Sequence, residues 1–176
     1  MRFPNSFSSF ETERLILNEI SMNDVDFLFE LRNNDDVNKY IGRKKSSLEA
    51  VKQFIMDRIS DFKEKKGITW MIYNKATNQN MGSICFWNFD FDKDSAEIGY
   101  ELSPEFHGKG FMQEALSKVI NFGFNELNLQ TIEAFTDKNN KPSINALVKF
   151  NFIEEVTFKS IEVESLIMFK LTSTQL

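Results

Sequence analysis

From Ser95 to Met112 the sequence runs SAEIGYELSPEFHGKGFM, and this stretch limits the possible folds more than any other. Residues 95–102 alternate strictly, the pattern of a strand with one buried face. Pro104 stops the strand, because proline cannot donate to a ladder. Gly108 and Gly110 then adjoin a helix expected over about 110–126, where Met112, Ala115, Leu116, Val119, Ile120 and Leu127 recur at helical spacing. Glycines let a ligand approach the backbone closely, and the first helical turn offers unpaired N–H groups with a positive dipole end. Such a strand–loop–helix unit suits a phosphate or pyrophosphate, and Lys109 adds a positive charge. Two familiar phosphate loops do not fit. A P-loop needs Ser or Thr after Gly-Lys, where this chain has Gly110-Phe111. A dinucleotide fingerprint needs a third glycine where Gln113 stands.

The surrounding pattern is that of a mixed α/β domain. A strand is expected over 14–20, and Ser21 opens a helix with an apolar stripe of Val25, Leu28, Phe29 and Leu31. A polar loop, 33–45, leads to Ser46, which with Glu49 reads as a capping box for a second helix bearing Val51, Phe54, Ile55, Ile59 and Phe62. Strands over 69–74 and 81–89 flank the turn-rich KATNQN as a hairpin. Further strands are expected over 129–135, 152–158 and 163–171, with a short helix over 142–150. No repeat or linker interrupts the 176 residues, so 1–176 reads as one domain with a central, largely antiparallel sheet flanked by helices.

Composition removes competing chemistries. One Cys and one His cannot build a disulfide framework or a three- or four-ligand His/Cys zinc site. A Cys85–His107 pair or a triad around His107 is arithmetically open but has no supporting context. The net charge of −5 is a poor footprint for a nucleic-acid binder and compatible with a cationic substrate. No segment has the apolar length of a signal peptide or membrane span, and the free thiol suits a reducing compartment; the expectation is a soluble, cytoplasmic protein.

The 104–115 string resembles motif A of the GNAT acyl-CoA N-acyltransferase superfamily, Gln/Arg-x-x-Gly-x-Gly/Ala, with Gly108 and Gly110 matching and Glu105 in the Gln/Arg place. Two more segments resemble the ribosomal-protein N-terminal (Rim-type) branch. Thr12-Glu13-Arg14-Leu15-Ile16-Leu17 matches its T-x-R-L-x-L opening. Asn140-x-x-Ser143 with Phe150-Asn151-Phe152 matches its N-x-x-S … F-G-F signature, Asn151 replacing the glycine. The resemblance implies a GNAT-like α/β fold and acetyl-CoA as co-substrate, with no metal. It implies that the strand parts from its neighbour after Tyr100 and frees backbone groups around Leu102 for the pantetheine arm. His107, Gly108, Lys109, Gly110, Phe111 and Met112 then hold the pyrophosphate, and Asn140 bonds the coenzyme near its thioester. The acceptor, a primary amine, attacks the acetyl carbonyl directly. Glu97 matches the general-base glutamate of some members and acts through water. Ser143 is a candidate proton donor to the leaving thiolate, and Tyr100 is the alternative.

Glu101, four residues from Glu97 and on the same strand face, is expected to bind the acceptor or share the base role. Tyr40, in the 33–45 loop, and Trp87 are expected to contact the acceptor. An α-amino group, with a pKa of about 7.7–8.0, needs less help from a base than a lysine near 10.4, which favours a protein N-terminus. A small-molecule amine (amino acid, polyamine or aminoglycoside) and a non-catalytic acyl-CoA-binding module are the alternatives. Monomer and homodimer both remain open. Each residue also has a plainer reading: Glu97 and Glu101 as a solvated strand face, Ser143 as a helix cap, Arg43-Lys44-Lys45 as a solvated loop, Cys85 as inert, and most of the Phe series as core.

Overall fold

The computed structural model describes residues 1–161 and 163–175. In chain order the elements are β1 (Phe10–Glu11), β2 (Leu15–Glu19), a 3-10 turn (Met22–Asp24) running into α1 (Val25–Asn33), α2 (Asp35–Asn38), α3 (Leu48–Lys63), β3 (Gly67–Asn74), β4 (Asn80–Asp90), β5 (Ser95–Leu102), a 3-10 turn (Pro104–Phe106), α4 (Phe111–Asn125), β6 (Thr131–Asp137), α5 (Lys141–Lys149), β7 (Ile153–Glu154) and β8 (Leu166–Thr172). Among the described residues eight strands form one sheet in the order β1-β2-β3-β4-β5-β6-β8-β7. Every neighbouring pair is antiparallel except β5 with β6. The expected α/β fold with a largely antiparallel sheet is what forms.

The two sheet faces carry separate clusters. On one, Ala96, Ile98 and Leu102 of β5 and Ile132 and Ala134 of β6 pack with Ala115, Leu116, Val119 and Ile120 of α4. Helix and sheet approach so closely at Gly123 that a Cβ there would stand 2.8 Å from the Phe86 ring. Trp70, fully buried, has Phe7, Phe10, Phe86 and Phe122 around it at centroid distances of 5.7, 5.8, 6.3 and 5.7 Å. On the other face, Val25, Leu28 and Leu31 of α1 and Val51 and Ile55 of α3 pack on Met71.

Three local expectations shift. The second helix is capped by Ser47, whose Oγ accepts from Ala50 N–H at 3.2 Å. Ser46 is held instead by Asn33, which accepts its N–H at 2.8 Å and donates to its carbonyl at 3.1 Å. The strand expected over 152–158 is reduced to β7, because Glu155 starts a turn: its carboxylate accepts the Thr157 hydroxyl at 2.5 Å and its carbonyl accepts Phe158 N–H at 3.0 Å. Asn151, in place of the family glycine, adopts φ +62°; asparagine is among the few residues that tolerate this left-handed backbone.

Asp24 is fully buried and ties the start of α1 to the sheet. Its carboxylate accepts from Tyr73 Oη at 2.5 Å, Asn80 Nδ2 at 3.1 Å, and Ser21 N–H and Oγ at 2.8 and 3.0 Å. Truncation strands buried donors, so Asp24→Ala is expected to cost about 3 kcal/mol. Denaturant unfolding should show this as a lower midpoint at unchanged m.

Candidate active site

The site begins where the ladder stops. Residues 95–97 of β5 pair with 131–133 of β6, while β5 continues against β4 as far as Leu102. Ser103 N–H donates to Met81 O at 2.8 Å. By alternation the C=O of Ile98 and the N–H and C=O groups of Tyr100 and Leu102 therefore face the gap, the Ile98 N–H closing the last bond to Glu133. The parting thus begins after Glu97, three residues before the expected Tyr100, because the parallel pairing ends there. At its far end Leu102 O contacts the His107 ring, Nε2 lying at 2.9 Å.

The loop beyond is built on two left-handed glycines, Gly108 at φ +73° and Gly110 at φ +80°. A Cβ on Gly108 would meet nothing within 4 Å, so backbone conformation rather than space selects glycine there. Gly110 is the N-cap of α4 and brings no capping side chain, so the first-turn N–H groups of Phe111 and Met112 lack an intrahelical acceptor. His107 contributes differently from its neighbours. Its N–H is spent on Pro104 O at 3.1 Å, and it braces the loop rather than offering an amide. Lys109 Nζ donates back to Glu105 O at 2.7 Å.

Arg14, from the T-x-R-L-x-L string, holds this loop. Its Nη1 donates to Lys109 O at 3.0 Å, its Nε to Glu114 Oε2 at 2.7 Å, and its guanidinium lies 4.4 Å from the Phe111 ring centroid. Glu114 also accepts from the Thr12 hydroxyl at 2.6 Å and Arg14 N–H at 2.8 Å. Burial raises the Glu114 pKa, but the bonds from Thr12 and Arg14 outweigh it and hold the carboxyl below its usual range. The T-x-R-L-x-L string was the available signal, since both of its polar residues end on this one carboxylate.

On the α4 side of the gap, the two candidate proton donors meet. Tyr100 Oη and Ser143 Oγ are 2.9 Å apart. Burial pushes the Tyr100 phenol up to about 12, with the Ser143 bond pulling the other way, so it is protonated at neutral pH. Ser143 does not cap α5; Asn140 does, its Oδ1 accepting from Ser143 N–H at 3.3 Å.

The opposite face of β5 carries Glu97, Gly99 and Glu101. Glu97 sits across from Trp87 on β4 and beside Glu133 on β6. Burial raises its pKa, the Asn88 Nδ2 bond at 2.5 Å lowers it, and Glu133 raises it further, for a net upward shift. Glu101 is engaged by Arg43, Nη2 to Oε2 at 2.9 Å, and is only 9% exposed. Arg43, read as part of a solvated loop, is 19% exposed because the segment joining α2 to α3 folds back onto β5. Tyr40, half-buried, lies in that same segment with Lys39 Nζ 5.2 Å from its ring centroid. Trp87 is 47% exposed and, with Asn88, Phe89, Arg58 and Asp61, lines an open cleft of about 410 Å³. Beneath Gly99 the Cys85 thiol is pushed up to about 12, chiefly by burial, and so stays protonated and unreactive. Among the described residues no cluster of three His, Cys, Asp or Glu could hold a metal, and no helix is long and apolar enough to cross a membrane.

Residues 14–153 match the family model described as Acetyltransferase (GNAT) domain. The Bacillus subtilis (strain 168) protein named Uncharacterized N-acetyltransferase YoaA is 36% identical over 150 residues, 85% of each chain. In structure the chain resembles RimL, the ribosomal L7/L12 alpha-N-protein acetyltransferase in complex with coenzyme A, with a TM-score of 0.83 at 18% identity, covering 92% of this chain and 95% of that one. It also resembles spermidine N-acetyltransferase from Vibrio cholerae in complex with CoA and spermine, with a TM-score of 0.81 at 18% identity, covering 93% and 98%.

Because Arg14 bonds the Lys109 carbonyl within the glycine loop, Arg14→Ala is expected to weaken coenzyme A binding about tenfold, the size of losing one charge-assisted bond. Calorimetric titration checks this, with the unfolding midpoint as control.

Proposed function

The chain belongs to the GNAT acetyltransferase family, N-acetyltransferases that draw on acetyl-CoA, and on that premise we propose that it acetylates a primary amine by direct transfer across the gap between β5 and β6. The observation that carries this reading is the gap itself. It joins a face with an ordered glycine loop and a Tyr100–Ser143 pair to a face with Glu97.

On the first side, the free edge of Ile98, Tyr100 and Leu102 receives the pantetheine arm. Gly108, Lys109, Gly110, Phe111 and Met112 receive the pyrophosphate, with His107 bracing Leu102. Asn140, whose Oδ1 caps α5, turns its side-chain amide N–H to the coenzyme near the thioester. Acetyl-CoA supplies an activated acyl group and a thiolate leaving group. On the second side, the acceptor amine must lose a proton before attack and a further one afterwards. Glu97 takes this role through water, and its raised pKa brings it nearer to that of an amine. Glu101 does not share it, since its charge is committed to Arg43; it anchors the loop that carries Tyr40. Trp87 forms a wall of the acceptor cleft. The leaving thiolate takes a proton from the Tyr100–Ser143 unit.

Thiol release in a panel of amines tests the reaction, and no release with any acceptor overturns it. In the pH profile of kcat/KM, loss of neutral amine sets a slope of about one on the acid side. Protonation of Glu97 steepens that slope toward about two, at a pH above the ordinary glutamate value of about 4.3. The sign follows from the raised pKa: the base is lost earlier as pH falls. Asn88→Ala removes the bond that favours the charged form and should move the break higher still, while Glu97→Gln should abolish it and lower kcat about 100-fold.

Ser143→Ala and Tyr100→Phe are each expected to lower kcat about 100-fold, and the double variant should be little worse than the slower single one. Additive losses in single-turnover rates count against a shared role.

A further inference from the structure

Three guanidinium groups from three separate elements gather on the sheet face of Glu97 and Glu101. Arg32 comes from the last turn of α1, Arg43 from the segment before α3, and Arg58 from α3 itself. Arg32 and Arg58 flank Phe54, 3.9 and 5.2 Å from its ring centroid. Burial lowers the Arg32 pKa, and the neighbouring charges of Arg43 and Arg58 lower it further against the pull of Glu101, so the four groups share one field. Arg43 is fixed on Glu101, and Arg58 lines the cleft with Trp87 and Asn88, which sets these two arginines beside the proposed acceptor site.

Glu101 answers Arg43 at 2.9 Å and Asp61 answers Arg58 at 2.8 Å. Among the described residues no carboxylate lies within salt-bridge distance of Arg32. Each guanidinium also retains one buried nitrogen without a protein acceptor: Arg32 Nε, Arg43 Nη1 and Arg58 Nε. Buried donors are rarely left unmatched, and guanidinium donors suit an oxyanion best. The cleft lined by Arg58 also reaches Asn88, the partner of Glu97, so one small acceptor can touch both.

We propose that the acceptor bears an oxyanion, carboxylate or phosphate, close to its amine, and that Arg32, Arg43 and Arg58 receive it while the amine faces Glu97. This rests on the reading of Glu97's face as the acceptor side. It makes the cluster a selectivity device: an acid-bearing amine is held by its anion, a bond that a polyamine cannot form.

The test is turnover by the whole chain with three matched acceptor pairs: O-phosphoethanolamine against ethanolamine, phenylalanine against phenylalaninamide, and the amidated peptides Ala-Glu-Ala against Ala-Gln-Ala. At least one acid member should exceed its neutral partner tenfold in kcat/KM, and the responding pair tells phosphate from carboxylate and a free amino acid from a peptide. Phenylalaninamide has the more readily deprotonated amine, so intrinsic reactivity runs against the expectation in that pair. Arg32→Gln should shrink the ratio to within twofold through the KM of the acid member. The double variant Arg43→Gln/Glu101→Gln, which leaves no buried carboxylate stranded, should do the same. Neutral members equal to or faster than the acids in every pair overturn the proposal, as does an unchanged ratio in folded Arg32→Gln. If no pair turns over, the wider amine panel decides the acetyl-transfer reading separately. The cluster is then decided by calorimetry of inorganic phosphate into protein saturated with coenzyme A: binding lost in Arg32→Gln supports it, and no binding overturns it.

Discussion

The parting of β5 from β6 is the constraint on which the rest of the site depends. Parallel pairing over 95–97 and 131–133 brings the two strands together at one end, and its termination leaves a row of backbone groups without a ladder partner. Elsewhere in a sheet interior such groups would be costly. Here they open a channel between two faces of different chemistry. The hydroxyl pair of Tyr100 and Ser143 lies toward α5, and the carboxylate of Glu97 lies on the other face, because successive side chains of a strand point opposite ways.

The interruption is tolerated because both of its ends are braced. At the near end, Phe86 and Ile132 press against Gly123 of α4. At the far end, Arg14 and Thr12 converge on Glu114, so the entry to β2 and the first turn of α4 move as one body. Residues about 100 positions apart thereby order a loop whose two left-handed glycines supply the curvature. Asp24 does comparable work on the other face, where Tyr73 and Asn80 join the start of α1 to β3 and β4 and Ser21 closes the cap.

Glu97 and Glu101 show how position divides identical side chains. Both lie on one face of one strand. Glu97 is half-buried beside a second carboxylate and one amide donor, and its charged form is disfavoured. Glu101 is paired with Arg43 at 2.9 Å. The first is suited to exchanging protons and the second to holding a loop. Arg43 and Arg58 stand on this face in a chain whose net charge is −5, so overall charge says little about what the face attracts.

The strand–loop–helix unit, the glycine pair, the fold class and the residues around the gap were legible in the sequence, because alternation, proline and glycine act over a few neighbours. The same locality explains what was not legible. That Thr12 and Arg14 serve Glu114, that Arg43 is buried on Glu101, and that Tyr100 and Ser143 form one pair are each contacts across many residues of chain. The end of the β5–β6 pairing at Glu97 and Glu133 is likewise a contact between distant segments, which no pattern within β5 records. Sequence alone determined which segments could build an anion-binding loop beside an open strand. Only the tertiary structure decided which charges face one another there, because burial and pairing are properties of the assembled faces and not of any one segment.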